Sequence, residues 1–223
     1  MRGRIAMGSQ TMPRARLSKN GRGMIAAATV IVSCVGVSIA QGEPIQFLHR
    51  GVASGALASI DGSASRITFG PSAFTIDAIA DTDDRGVLAS GGFDTVHTSV
   101  VITIDGLGTF DVLVPTRTYV VYDDSQGRVG FGMEGSTAPP DLFNGPLIEG
   151  LGSWDMTTST IAATPGVGTV LQWDAVEVLT TGGRLLFDFS DSVDWNFQAI
   201  ILPAPGALGS LACLGLFASR RRR

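Results

Sequence analysis

The central part of this chain has no lysine and no cysteine, and the whole chain has only two histidines. Its one lysine is Lys19, and its two cysteines, Cys34 and Cys213, lie in apolar segments near the two ends. Without thiols the central part cannot form a disulfide, and two histidines are too few for a zinc site, which needs three or four protein ligands. These absences favour a domain that is held together by its own hydrophobic core.

Positive charge is also scarce in the central part. Of the 16 basic residues, six lie before residue 24 and four form the C-terminal run Arg220 to Arg223, so that six remain in between. All 20 acidic residues lie between Glu43 and Asp194, which gives this part a net charge of −14. A surface of this sign repels nucleic-acid phosphates and anionic lipids, so nucleic acid is excluded as a partner.

Residues 42–202 show no apolar stripe of helical period, whereas apolar and polar residues alternate in many short runs. The longest run predicts a strand whose buried face carries five residues, Val96, Thr98, Val100, Ile102 and Ile104. His97 then lies on the opposite, exposed face. Asp105 and Gly106 follow as a tight hairpin turn, because both residues tolerate positive φ. Similar runs predict strands over 67–69, 74–78, 110–114, 118–122, 129–133, 169–178, 185–189 and 193–201.

Many short strands joined by glycine-containing turns predict an all-β domain over residues 42–201. The expected architecture is a β-sandwich of jelly-roll-like order, with a signal helix before it and a hydrophobic helix after it. Residues 134–153 contain three prolines and four glycines, and this composition predicts a long irregular loop. Trp173 and Trp195 occupy alternating strand positions and are predicted to lie in the core.

The first 41 residues have the features of a secretory signal peptide. Six basic residues and no acidic residue precede an apolar stretch from Met24 to Ile39. Ser38 and Ala40 then provide small residues at positions −3 and −1 of a cleavage site. Two alternatives remain open, namely an uncleaved membrane anchor and a lipoprotein-type cleavage before Cys34.

The last 22 residues, 202–223, form a second membrane-directed segment. Pro203-Ala204-Pro205 ends any preceding strand, because proline lacks the backbone donor that a sheet requires. The uncharged residues 206–219 follow, and as a helix they would measure about 21 Å. A bilayer core is about 30 Å thick, so this transmembrane segment would be short. Arg220, Arg221, Arg222 and Arg223 would remain on the cytoplasmic side.

This order of parts resembles the PEP-CTERM sorting signal of exosortase substrates, with Ala204 where that signal has glutamate. The resemblance implies export, transient retention in the inner membrane, and recognition of the tail by a membrane processing enzyme of the exosortase type. The final location would be the cell surface or the extracellular space. Runs between Gly108 and Phe189, such as Ser-Trp-Asp-Met-Thr-Thr-Ser, resemble the uncharacterised domains found ahead of such tails. That second resemblance implies no activity.

Two acidic or aromatic features are candidates for ligand binding. Asp81, Asp83 and Asp84 stand at positions 1, 3 and 4 of a predicted turn, and hard oxygen ligands in a turn suit Ca²⁺. Position 12 of this turn is Gly92 instead of a bidentate glutamate, so only weak Ca²⁺ binding is expected, and no other cofactor. Trp154 lies in the predicted loop and is the candidate platform on which a sugar would stack.

Three functions are compatible with these patterns. The interpretation that explains most residues is a non-enzymatic surface or matrix protein that is sorted through its tail. An extracellular carbohydrate-binding module is the alternative, with a polysaccharide as the partner. A secreted hydrolase would need paired carboxylates, for which Glu134, Glu149 and Glu177 are available, or a triad that includes Asp94 and His97. We assign no catalytic residue.

Overall fold

A computed structural model describes residues 42–61, 65–135, 139–160 and 162–203 of the chain. These residues form eleven β-strands and no helix, which confirms the all-β class. The predicted signal helix and the predicted C-terminal helix lie outside the described residues. The strands are β1 (Pro44–Ala58), β2 (Arg66–Val87), β3 (Gly92–Ile104), β4 (Gly108–Asp111), β5 (Thr116–Asp123), β6 (Gln126–Met133), β7 (Asp141–Glu149), β8 (Thr164–Gly166), β9 (Thr169–Val170), β10 (Val178–Thr180) and β11 (Gly183–Ile201).

All eleven strands are linked by antiparallel pairing into one sheet. Its main path runs β10-β11-β1-β2-β3-β5-β6-β7-β9, while β4 pairs with β3 and β8 pairs with β11. The described strands form one curled antiparallel sheet. Most neighbours in it follow chain order, because short turns join them as hairpins.

The sheet curls until its two ends approach each other. At one end β8 pairs with β11, and the neighbouring β9 pairs with β7. At the other end a bridge between Val112 and Thr180 joins the β4–β5 connection to β10. This curling covers strand edges that would otherwise be free to pair with another chain.

The concave side of the curled sheet encloses an aromatic core. Trp173 and Trp195 are 0% and 1% exposed, which confirms their predicted burial. Trp173 lies parallel to Phe143 and to Phe131, at ring-centroid distances of 6.0 and 5.8 Å. Gly168 allows the chain to pass directly over Trp195, since a Cβ at this glycine would lie 2.1 Å from the indole ring.

A long antiparallel pairing joins the first and last strands of the described domain. β11 pairs with β1 from Ile45↔Ile201 to Ala58↔Arg184, with two register shifts on the way. Phe187, Trp195, Phe197 and Ala199 of β11 point inward and are buried. The C-terminal strand is therefore fixed by hydrogen bonds along its length and by core packing on one face.

Two predictions of local structure are wrong, one from composition and one from periodicity. Strand β7 lies inside the segment 134–153, which the proline and glycine content had predicted to be an irregular loop. Of the predicted strand over 169–178, only Thr169–Val170 and the first residue of β10 are extended, and turns and bends separate them. In both cases contacts with distant strands decide the local structure.

Candidate functional site

Trp154 is not the exposed platform that the sequence predicted. Its side chain is only 7% exposed, and its Nε1–H donates to the carbonyl oxygen of Thr158 at 3.0 Å. The ring meets Phe197 edge-on at a centroid distance of 5.9 Å, and Phe47 in the same way at 6.5 Å. The indole is part of the core because these rings cover it, so a sugar ring has no open face on which to stack.

The three aspartates proposed for calcium do not lie in a turn. Asp81, Asp83 and Asp84 belong to the extended strand β2, where successive side chains point to opposite faces. The Asp81 carboxylate accepts a hydrogen bond from the backbone N–H of Asp83 at 2.9 Å. In the described part of the chain, no three His, Cys, Asp or Glu side chains are placed to hold a metal ion. The predicted calcium turn is therefore wrong in its geometry.

Most residues of the two predicted processing sites lie outside the described residues. These are Ser38 and Ala40 of the signal cleavage site, and Ala204, Pro205 and Arg220 to Arg223 of the tail. Pro203 is the last described residue, two positions after the end of β11. The structure therefore describes the attachment point of the tail.

The start of β1 and the end of β11 lie next to each other in the sheet. Ile45 and Ile201 are directly opposite in the β1–β11 pair, and Leu202 N–H donates to the Pro44 carbonyl oxygen at 2.7 Å. Ile201 N–H donates in turn to Ser159 Oγ at 2.8 Å. Because residues 44 and 202 are bonded, a segment before β1 and a segment after β11 begin side by side.

A bulge in β3 places His97 on the inner face of the sheet, contrary to the sequence prediction. Ile79 pairs with Ser99 and Ala80 pairs with His97, so that Thr98 is one extra residue in β3. The bulge reverses the inward and outward alternation at this point. Val96, predicted to be buried, is 38% exposed, whereas the His97 ring lies parallel to Phe131 at 5.5 Å.

The two histidines of the protein meet at one threonine inside the curled sheet. His49 Nε2 and His97 Nε2 lie 3.0 and 2.9 Å from Thr118 Oγ1, and His97 Nδ1 lies 2.9 Å from Thr116 Oγ1. His49 is 1% exposed, and its Nδ1 has no hydrogen-bond partner in the described part of the chain. A buried lone pair costs less than a buried N–H, so we place the His49 proton on Nε2.

This proton arrangement gives a chain of donors in one direction. His49 Nε2–H donates to Thr118, and the Thr118 hydroxyl donates to His97 Nε2. Burial lowers the pKa of His97 to about 3. Burial, and secondarily the nearby His97, lower the pKa of His49 to about 3. Both rings are therefore neutral at pH 7, and they serve as core side chains bonded to threonines.

The residues proposed for a hydrolase are held in ion pairs or kept apart. His97 bonds to threonines, whereas the Asp94 carboxylate bonds to Arg117 Nη1 at 2.8 Å. Glu177 lies 3.3 Å from Arg184, and Glu134 lies 3.9 Å from Arg117. Asp94 and His97 therefore do not form the catalytic triad that the sequence permitted.

Arg117 of β5 joins three acidic side chains on the outer face of the sheet. Besides Asp94 and Glu134, it contacts Asp141 of β7 through Nη2 at 3.1 Å. The Arg117 side chain is only 14% exposed, and its guanidinium lies over the Tyr119 ring at 5.6 Å. Sequence patterns missed this cluster because its acids come from distant positions in the chain.

Replacing Arg117 with methionine should lower the free energy of unfolding by about 2 kcal/mol. The change leaves three carboxylates close together without a cation, and the partial exposure of these acids keeps the loss below that of a fully buried pair. Urea unfolding at pH 7 measures the effect. Arg184→Met is the matched control, because this arginine and Glu177 are 51% and 39% exposed, and its loss should stay below about 1 kcal/mol. Equal losses in the two variants would contradict the assignment.

Comparison of the chain with protein-family models, with curated proteins and with solved structures finds no match in any of the three. Among the described residues, no helix is long and apolar enough to cross a membrane. The predicted transmembrane segment of the tail lies outside those residues.

Proposed function

We propose that this chain is an exported, non-enzymatic cell-surface or matrix protein that is sorted through its C-terminal tail, residues 202–223. Residues 1–41 direct export, cleavage after Ala40 leaves Gln41 as the first residue, and the curled sheet is the part that remains outside the cell. The observation that carries this proposal is the backbone hydrogen bond from Leu202 to Pro44. It places the start of the tail next to the residues that follow the signal segment.

The common exit point supports anchoring at one end of the domain. While the tail is in the bilayer, β11 connects it to the whole β1–β11 pair, so that the domain is attached through a folded strand. Pro203 and Pro205 separate that strand from the apolar run and keep the sheet from extending into it. A membrane processing enzyme would then reach the Pro203-Ala204-Pro205 segment next to the folded domain.

The assignment of the domain to a β-sandwich of jelly-roll-like order is also part of this proposal. The two halves of the curled sheet pack against a single aromatic core, as the two layers of a β-sandwich do. Such a domain has few free edges and no disulfides, and both properties suit a surface protein that must stay monodisperse outside the cell.

A carbohydrate-binding module remains the second candidate. Its support no longer comes from Trp154 as a stacking platform. It comes from a pocket of about 400 Å³ that Trp154 borders together with Glu149, Thr158 and Ser159, where hydroxyls and a carboxylate could bond to a sugar.

The sorting proposal predicts that the four terminal arginines retain the protein at the membrane. Changing Arg220, Arg221, Arg222 and Arg223 to glutamine should move the protein several-fold from the membrane fraction to the medium, because each cation near the bilayer contributes about 1 kcal/mol. Immunoblots of membrane and medium fractions measure the ratio. The matched control changes two exposed arginines of the domain, Arg66 and Arg184, to glutamine. A tail variant that distributes like this control would overturn the proposal.

A further inference from the structure

A second pocket, of about 440 Å³, lies between β6, β7 and the β8–β9 segment. Its polar lining residues are Arg128, Asn144 and Thr169, and its apolar ones are Leu147, Val167 and Leu171. The volume lies within the range of about 300–1,000 Å³ that is usual for small-molecule sites. None of these side chains belongs to the aromatic core.

A β-bulge in β7 lies at the pocket and shapes its lining. Arg128 of β6 pairs with Leu147, but Gly130 pairs with Asn144, so Gly145 and Pro146 form a bulge between them. The bulge residues are buried, while Asn144 and Leu147 both line the pocket. Gly145 has φ +125°, and a Cβ there would lie 2.3 Å from Gly168 Cα, so the close approach of the two segments requires glycine.

The same pairing brings the hydrogen-bond donors together. Asn144 and Thr169 are directly opposite in the β7–β9 pair, and Arg128 is opposite Leu147 in the β6–β7 pair. The Tyr119 hydroxyl donates to Asn144 Oδ1, which turns the amide N–H₂ group of Asn144 away from Tyr119. A guanidinium, an amide N–H₂ and a hydroxyl thus converge from three adjacent strands.

Arg128 is available for a ligand. Its one acidic neighbour among the described ion pairs is Asp123, at 4.0 Å, and the two side chains are 47% and 60% exposed. An exposed pair at this distance contributes between 0 and about 1 kcal/mol. The guanidinium therefore keeps free hydrogen-bond donors. Basic residues are scarce in this domain, which has six of them and 20 acidic residues.

The geometry points to a binding site for a carboxylated sugar unit, such as a uronate residue of an acidic polysaccharide. The Arg128 guanidinium would pair with the carboxylate, since its planar fork matches two oxygens. Asn144 and Thr169 would bond to ring hydroxyls, and Leu147, Val167 and Leu171 would contact the apolar face of the ring. This inference rests on the carbohydrate-binding alternative of the proposed function and names its ligand class.

Titration calorimetry of the purified full-length chain with three probes tests the site. The probes are glucuronate, glucose as the neutral sugar, and acetate as a carboxylate without a ring. We expect glucuronate to bind at least about tenfold more tightly than either of the others, because only glucuronate uses both the guanidinium and the hydroxyl partners.

Arg128→Gln should weaken glucuronate binding at least about tenfold, whereas Arg184→Gln, which removes an equal charge elsewhere, should leave it within about twofold. Equal melting temperatures of the two variants show that both are folded. The inference is overturned if glucuronate does not bind, if glucose or acetate binds as well, or if the two variants behave alike. Membrane retention by the tail arginines is measured separately, so a failure here leaves the sorting proposal standing.

Discussion

Replacing Phe197 with alanine lowers the free energy of unfolding by about 3–5 kcal/mol. Phe197 is fully buried in β11, where its ring stacks on Phe47 at 6.2 Å and contacts His49 at 5.0 Å. The substitution removes this packing and leaves a cavity that the paired strands on either side cannot close.

Urea unfolding of the mature protein measures this loss. Gln198→Ala is the matched control, because Gln198 is the next residue of β11 and points to the opposite, partly exposed face. The control should change the free energy of unfolding by less than about 1 kcal/mol. A loss of under 1 kcal/mol for Phe197→Ala would show that β11 is not an integral part of the core.

Acidification from pH 7.5 to pH 5.5 should lower the free energy of unfolding by about 2–3 kcal/mol through His49, which is buried, and His97, which is partly buried. In the folded state His49 and His97 have pKa values of about 3, whereas in the unfolded chain the value returns to 6.5. Below pH 6.5 the unfolded chain therefore binds protons that the folded chain does not. Stability falls by about 1.4 kcal/mol per pH unit for each histidine until the folded pKa is reached.

The window from pH 7.5 to pH 5.5 includes the ordinary pKa of a histidine, 6.5, and lies above that of a free carboxylic acid, about 4. The matched control is the double variant His49→Gln and His97→Gln, whose amides can still bond to Thr118 and Thr116. Its free energy of unfolding should change by less than about 1 kcal/mol over the same window. An unchanged stability of the natural sequence between these pH values would mean that the histidines are accessible to protons in the folded state.

The sequence was sufficient to predict the strand class, the Asp105-Gly106 turn between β3 and β4, and the burial of Trp173 and Trp195. Each of these depends on local pattern alone. His97 shows where such reasoning fails, because the bulge at Thr98 arises from pairing with β2 and reverses which residues face inward. An alternating pattern contains no sign of one inserted residue.

The predictions for strand β7 and for Trp154 were wrong for a related reason. Three prolines and several glycines predicted a loop, but Gly145 and Pro146 fit the sheet as a bulge because β6 and the β8–β9 segment hold them on both sides. Trp154 does lie in a loop, yet Phe47 and Phe197 cover its ring. The Arg128 pocket likewise depends on three strands, so its residues have no common signature in the chain.

The most direct test of the central claim is the intact mass of the protein recovered from the cell surface. Our account predicts a polypeptide that begins at Gln41, after cleavage following Ala40, and that lacks residues 206–223 after processing near Pro203-Ala204-Pro205. The folded domain from β1 to β11 would be whole. Recovery of the full 223-residue chain from the cytosol, with both ends uncut, would contradict the account.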